Sequence, residues 1–178
     1  MKIILASALL LLSAWASAQD DLGPQGPTVT LASALIVTIV QGKPATVPLV
    51  FRVASGYHIN SNQPKSEFLI PTVLKVEATT DIVIGKTTYP QGQDTSFPFD
   101  PDEKLNVYTG DFTVDVLVRP LHTVQAGKYV IRGTLKYQAC DNAACYPPKQ
   151  LPISFDVKIG KAPPAPRKNP AQSPHAHQ

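Results

Sequence analysis

Nowhere does this 178-residue chain sustain a 3.6-residue apolar period, whereas several segments alternate apolar and polar residues with period two. In "DFTVDVLV", Phe112, Val114, Val116 and Val118 share one face. In "YVIRGTLKY", Tyr129, Ile131, Leu135 and Tyr137 oppose Val130, Arg132, Thr134 and Lys136. In "LPISFDVKI", Leu151, Ile153, Phe155, Val157 and Ile159 oppose Ser154, Asp156 and Lys158. A strand sends successive side chains to opposite faces, so this alternation marks half-buried antiparallel strands. Further strands are expected at 28–40, 45–54, 68–76, 81–88 and 104–108, between turns supplied by 18 prolines and 10 glycines. Short strands at such spacing predict an all-β fold, an immunoglobulin-like antiparallel β-sandwich, with no helix.

The two ends read differently from the body. Residues 1–18 have the form of a cleaved secretory signal: Lys2, the apolar run Ile3 to Leu12, then Ala16-Ser17-Ala18. No cysteine follows that cleavage site to carry a lipid. Residues 19–27 form a short lead, 28–160 the sandwich domain, and 161–178 a Pro/Ala-rich tail with five prolines and no large apolar residue. Such a tail cannot bury enough surface to offset its ordering entropy, so it is expected to be disordered. Its His175 and His177, on a flexible chain, fall far short of a metal site. "VTLASALIVTIV" is too short and too β-branched to span a bilayer, so no membrane span is expected in the mature chain. Without Lys2, Lys161, Arg167 and Lys168 the body carries 12 basic and 13 acidic residues, a balance that excludes a nucleic-acid binder. The expected location is periplasmic or secreted, an oxidising compartment where disulfides form.

Both cysteines of the chain lie in "KYQACDNAACYPPKQ". Carried through this stretch, the alternation sets Cys140 on the solvent face with Arg132 and Lys136. "DNAA" makes a four-residue turn, with Asp141 and Asn142 suited to local backbone bonding, and places Cys140 across from Cys145. Opposed residues of an antiparallel pair stand within disulfide range. That register puts polar Thr134 opposite apolar Leu151. One extra residue on the return strand, at Tyr146–Lys149 where Pro147 and Pro148 cannot serve a regular ladder, restores Leu135 to Leu151. A six-residue loop stabilises a fold by only about 2 kcal/mol, roughly half of what a bridge between distant strands gives. Asp141 beside Cys140 opposes thiolate formation, which Lys136 and Lys149 partly offset, and Cys145 is the better site for a mixed disulfide. From spacing alone, structural staple and redox pair both stand.

The stretch "YQACDNAACYPP" resembles the signature of the N-terminal periplasmic domain of the thiol:disulfide interchange protein DsbD. "GYHINSNQP" and "FLIPTVLKV" are similar to that family's early strands, and "LNVYTGDFTVDV" to its middle hairpin, so the resemblance covers about residues 29 to 159. It implies an immunoglobulin-like domain whose cysteine pair relays reducing equivalents from thioredoxin-like donors to oxidised periplasmic proteins, without a cofactor or bound metal. Cys140 and Cys145 match the redox pair, and Tyr137, Gln138, Tyr146, Pro147 and Pro148 match its frame. The family's aromatic cap over the sulfurs points to Phe97 or Phe99 in "DTSFPFDPDEK". His58 and Asn60 stand where relatives carry tyrosines, and His58 alone reads as an ordinary surface or hydrogen-bonded histidine. The membrane-spanning carrier and Cys-x-x-Cys domain of full-length members are absent from the sequence, so electrons are expected from a separate protein. Two other readings are carried beside this one: an immunoglobulin-like binding or assembly domain with a purely structural disulfide, and a Cu(I)-handling thiol pair, for which two sulfurs are a thin ligand set.

Overall fold

The apolar faces read from the sequence meet in one buried cluster, and that meeting defines the sandwich. The structure, a computed structural model, describes residues 28–164 apart from Ala78 and Phe99. The expected signal, the lead 19–27, most of the tail with its two histidines, and the cap candidate Phe99 lie outside the described residues. Those residues form twelve strands and no helix: β1 (Val29–Ala34), β2 (Val37–Val40), β3 (Ala45–Val53), β4 (His58–Asn60), β5 (Val73–Val76), β6 (Ile82–Thr88), β7 (Gln93–Phe97), β8 (Asp100–Tyr108), β9 (Asp111–Pro120), β10 (Gly127–Tyr137), β11 (Ala139–Cys140) and β12 (Lys149–Gly160). One sheet runs β1-β3-β9-β6 and a second β2-β12-β10-β5. Neighbours are antiparallel except β2, which runs parallel to β12. Val47, Leu49 and Phe51 of β3 and Phe112, Val114, Val116 and Val118 of β9 line the first sheet's inner face. They pack on Ile131 and Leu135 of β10 and Ile153, Phe155, Val157 and Ile159 of β12. Each such side chain contributes roughly 1.5–3 kcal/mol relative to exposure, so this cluster dominates the favourable side of folding.

The expected fold is present, with local departures. The segment 28–40 is two strands: Leu35 and Ile36 stand 72% and 57% exposed where the chain crosses from the first sheet to the second. The expected strand 68–76 shrinks to β5, because Pro71 has no N–H for a ladder and Phe68 projects into solvent. β8 begins four residues earlier than expected.

A third sheet, β11-β4-β8-β7, is built from continuations of sandwich strands. β3 turns through Ser55-Gly56 into β4, β8 turns through Thr109-Gly110 into β9, and β10 passes Gln138 to become β11. Gly56 and Gly110 both take positive φ, 83° and 57°, conformations that a side chain would oppose. One face of this sheet, with Ile59, Tyr108 and Ala139, joins the main core. On the other, Leu105 and Val107 cluster with Phe97.

Gly133 in β10 tests how tightly the second sheet is closed. A Cβ there would lie 2.5 Å from the Lys75 carbonyl oxygen and 3.3 Å from Val76 Cα, so β5 would have to move. Gly133→Ala is expected to cost about 1–3 kcal/mol, as overpacking does, and to lower Tm by several degrees. In the same strand a Cβ on Gly127 meets only Tyr129 at 3.8 Å. Gly127→Ala is therefore expected to stay within about 0.5 kcal/mol of the parent, both variants being read by urea unfolding.

Candidate functional site

β10 and β12 pair without interruption from Gly127↔Ile159 to Tyr137↔Lys149, and Leu135 faces Leu151 as the expected extra residue requires. Beyond Tyr137 the ladder opens. Two residues, Gln138 and Ala139, precede Cys140, whereas three, Tyr146, Pro147 and Pro148, separate Cys145 from Lys149. Cys140 and Cys145 then face each other in an isolated bridge, their sulfurs bonded and their Cα atoms 4.0 Å apart. The Tyr146 N–H donates to the Ala139 carbonyl at 2.9 Å.

The two sulfurs have unequal surroundings. Cys140 is 0% exposed, while Cys145 is exposed. The expectation that Cys140 points to solvent fails because alternation cannot be counted through Gln138. There the chain leaves the second sheet, and Ala139 and Cys140 pair instead with Ile59 and His58 of β4. Ala139 takes the core face, and Cys140 takes the face shared with His58.

The turn between the cysteines is closed by Asp141. Its Oδ1 accepts the N–H groups of Ala143 and Ala144 at 2.8 and 2.9 Å, and its Oδ2 accepts the Tyr146 hydroxyl at 2.5 Å. Its own N–H donates to the Ala144 carbonyl at 3.0 Å. The Tyr146 hydroxyl first, then the two amides, hold this carboxyl below its ordinary range. The carboxylate is thus committed to the turn.

Each frame residue has a distinct place. The Gln138 side chain donates to the Tyr146 carbonyl at 3.1 Å and accepts from the buried Asn60 amide at 3.3 Å, fastening the return strand to β4. Asn60 also donates to the Ile70 carbonyl at 3.0 Å. Tyr137 is buried in the main core and its hydroxyl bonds Thr28 Oγ1 at 3.1 Å, so it takes no part in an aromatic surface beside the cysteines. Tyr146 does: half-buried, its ring tilts against Tyr57 at 6.2 Å, with Pro147 and Pro148 exposed beside it. Tyr57 carried no signal in the sequence beyond its neighbourhood in "GYHIN". Lys136 is exposed on β10. Phe97, nearly buried, stacks on the His58 ring with centroids 3.8 Å apart and planes 13° from parallel.

His58 is 2% exposed, not a surface residue. Burial pushes its pKa down to about 4, against a smaller upward pull from the Asp141 charge. Beside the turn opens a cleft of about 560 Å³, bordered by Gly56, Tyr57, His58, Gly110 and Asn142. On its far rim Arg52 grips Asp111 through two bonds of 2.6 and 2.7 Å. Among the described residues no three His, Cys, Asp or Glu side chains gather as a metal site would need.

The model of the family "Thiol:disulfide interchange protein DsbD, N-terminal" matches residues 27–156. Among solved structures, the chain is similar to the Neisseria meningitidis DsbD N-terminal domain in its reduced form. Identity is 20%, the match covers 63% of this chain and 80% of that one, and the TM-score is 0.41. It is also similar to the N-terminal periplasmic domain of ScsB from Proteus mirabilis, at 12% identity over 66% of this chain and 42% of that one, with a TM-score of 0.43. No curated protein sequence matches the chain.

The buried imidazole has a consequence for stability. An unfolded chain binds its proton near 6.5, the native state only near 4, so between these values the unfolded state holds more protons. Stability of the oxidised protein is therefore expected to fall as pH drops from 6.5 to 4 and to level off below for this group. Asp94, Asp111 and Asp141, all held below 3.8, lose their contributions lower on the scale. Denaturant midpoints at pH 7, 6, 5 and 4 check this, with His58→Phe expected to flatten the decline between 6.5 and 4.

Proposed function

Because this chain belongs to the family of thiol:disulfide interchange protein DsbD N-terminal domains, we propose that it is a thiol–disulfide interchange module working through Cys140 and Cys145. The observation that carries the reading is the asymmetry of the pair: Cys145 is exposed at the hairpin tip, while Cys140 is wholly buried behind it. A partner's thiolate attacks Cys145 Sγ in line with the bridge. The Cys140–Cys145 bond breaks, Cys140 leaves with the electron pair and takes up a proton, and a mixed disulfide joins Cys145 to the partner. The partner's second thiol resolves it, leaving the dithiol here and a disulfide there. Run in reverse, the Cys145 thiolate opens a substrate disulfide and Cys140 closes onto Cys145, expelling the substrate thiolate. Two electrons and two protons pass in each cycle, with no cofactor.

Partners of this chemistry are thioredoxin-like proteins or domains, met in the periplasm or outside the cell after removal of residues 1–18. Tyr146, Tyr57, Pro147 and Pro148 supply an amphipathic surface around Cys145 for them to meet. The small contribution of so short a loop, about 2 kcal/mol, also speaks for exchange over stapling. Full burial of Cys140 and its pairing with β4 favour the second reading, a binding domain with an inert bridge.

Redox equilibration separates the two. In graded glutathione buffers the pair is expected to open at a potential above about −300 mV, the region below which structural disulfides usually lie. Cys140→Ser is expected to trap a thioredoxin-like protein through Cys145 at least tenfold more efficiently than Cys145→Ser does through Cys140. A pair that stays oxidised throughout, with neither variant trapping a partner, would sink the interchange reading and leave the staple.

A further inference from the structure

Cys140 and His58 are direct partners across the β11–β4 pairing, so their side chains rise from the same face of the third sheet. Directly opposed residues on one face hold their Cβ atoms about 4.5–5.5 Å apart. Both are buried, at 0% and 2% exposure. The Phe97 ring, parallel to the imidazole at 3.8 Å, fixes its plane. The structure thus sets the one sulfur that water cannot reach beside a group able to hold a proton.

That juxtaposition answers a chemical need of the exchange reading, on which this inference rests. A thiol is a poor nucleophile until it loses its proton, and a buried thiolate left alone is costly. Solvent delivers and removes protons readily at Cys145 but not at Cys140. The carboxylate of the next residue, Asp141, already accepts three hydrogen bonds within the turn, and Lys136 lies on the exposed face of β10. Around His58, Asp141 acts from the turn, Phe97 packs from β7, and β8 sets Tyr108 opposite Ile59 on the other face. Burial keeps the imidazole unprotonated at neutral pH, the form a base requires.

We propose that His58 is the proton carrier of the buried cysteine. As Cys140 closes onto the Cys145 sulfur of a mixed disulfide, the thiol proton moves to the imidazole and the Cys140–Cys145 bond forms. The Cys145–partner bond breaks, its electron pair leaves on the partner's sulfur, and His58 then gives up its proton to solvent or to that thiolate. When an incoming thiol reopens the bridge, the imidazole takes up the proton that thiol sheds, or one from solvent, and passes it to departing Cys140.

The test follows closure of the reduced protein by oxidised glutathione between pH 5 and 9, in the wild type and in His58→Phe, which keeps a ring against Phe97. At pH 7 the variant is expected to close at least tenfold more slowly, and to recover toward the wild-type rate near pH 9, where thiols ionise unaided. Superimposable rates and pH profiles would overturn the assignment. A wild type that fails to close at any pH would instead overturn the interchange reading itself. Should the variant not fold, the wild type alone decides by nuclear magnetic resonance: the His58 ring is expected to bind protons at least tenfold more tightly in the reduced protein than in the oxidised one. Equal affinity in both redox states counts against the proposal.

Discussion

The interruption of the β10 ladder at Gln138 is the constraint from which the site follows. Up to Tyr137 the strand belongs to the sandwich and obeys its alternation; two residues later it belongs to another sheet, with its faces reassigned. That change of allegiance hides Cys140 against β4 while the return strand, lengthened by Tyr146-Pro147-Pro148, keeps Cys145 outside. The break leaves backbone groups that β12 no longer serves, and the Gln138 side chain, bonded to Tyr146 and Asn60, spans the gap. Asp141 does similar work at the tip. A buried and an exposed sulfur, five positions apart in sequence, are thus a product of strand geometry before any chemistry is asked of them.

Much of this was legible in the sequence, for a physical reason. Strands β9, β10 and β12 each bury one face and wet the other, so Val114, Ile131 and Phe155 announce their sides through composition alone. The mismatch of Thr134 with Leu151 even revealed the extra residue in the return strand, because a one-residue slip inverts every side chain. What stayed hidden depends on partners distant in the chain. β4 and β11 hold three and two residues, too few to show a period. The exposed step at Leu35-Ile36 was hidden inside a stretch that read as one strand, 28–40, because both residues there are apolar. His58 read as an ordinary surface or hydrogen-bonded histidine because nothing near it in sequence says that Cys140, 82 positions later, lies opposite.

The third sheet also divides labour between its faces. Ile59, Ala139 and Tyr108 tie it to the main core, so that face of the sheet is continuous with the sandwich interior. Cys140, His58 and the Phe97 cluster occupy the other side, where polar and titratable groups are grouped without breaching that core. The core packing and the surroundings of the buried cysteine are thereby kept on separate faces of one thin layer.

β12 runs from Lys149, beside the cysteine tip, to Gly160, where its last carbonyl accepts the Gln41 N–H. Twelve extended residues span about 36 Å. The polypeptide beyond Gly160 therefore departs from the pole remote from the sulfurs. The chain's exit from the sandwich and the cysteine tip thus stand at opposite ends of a single strand.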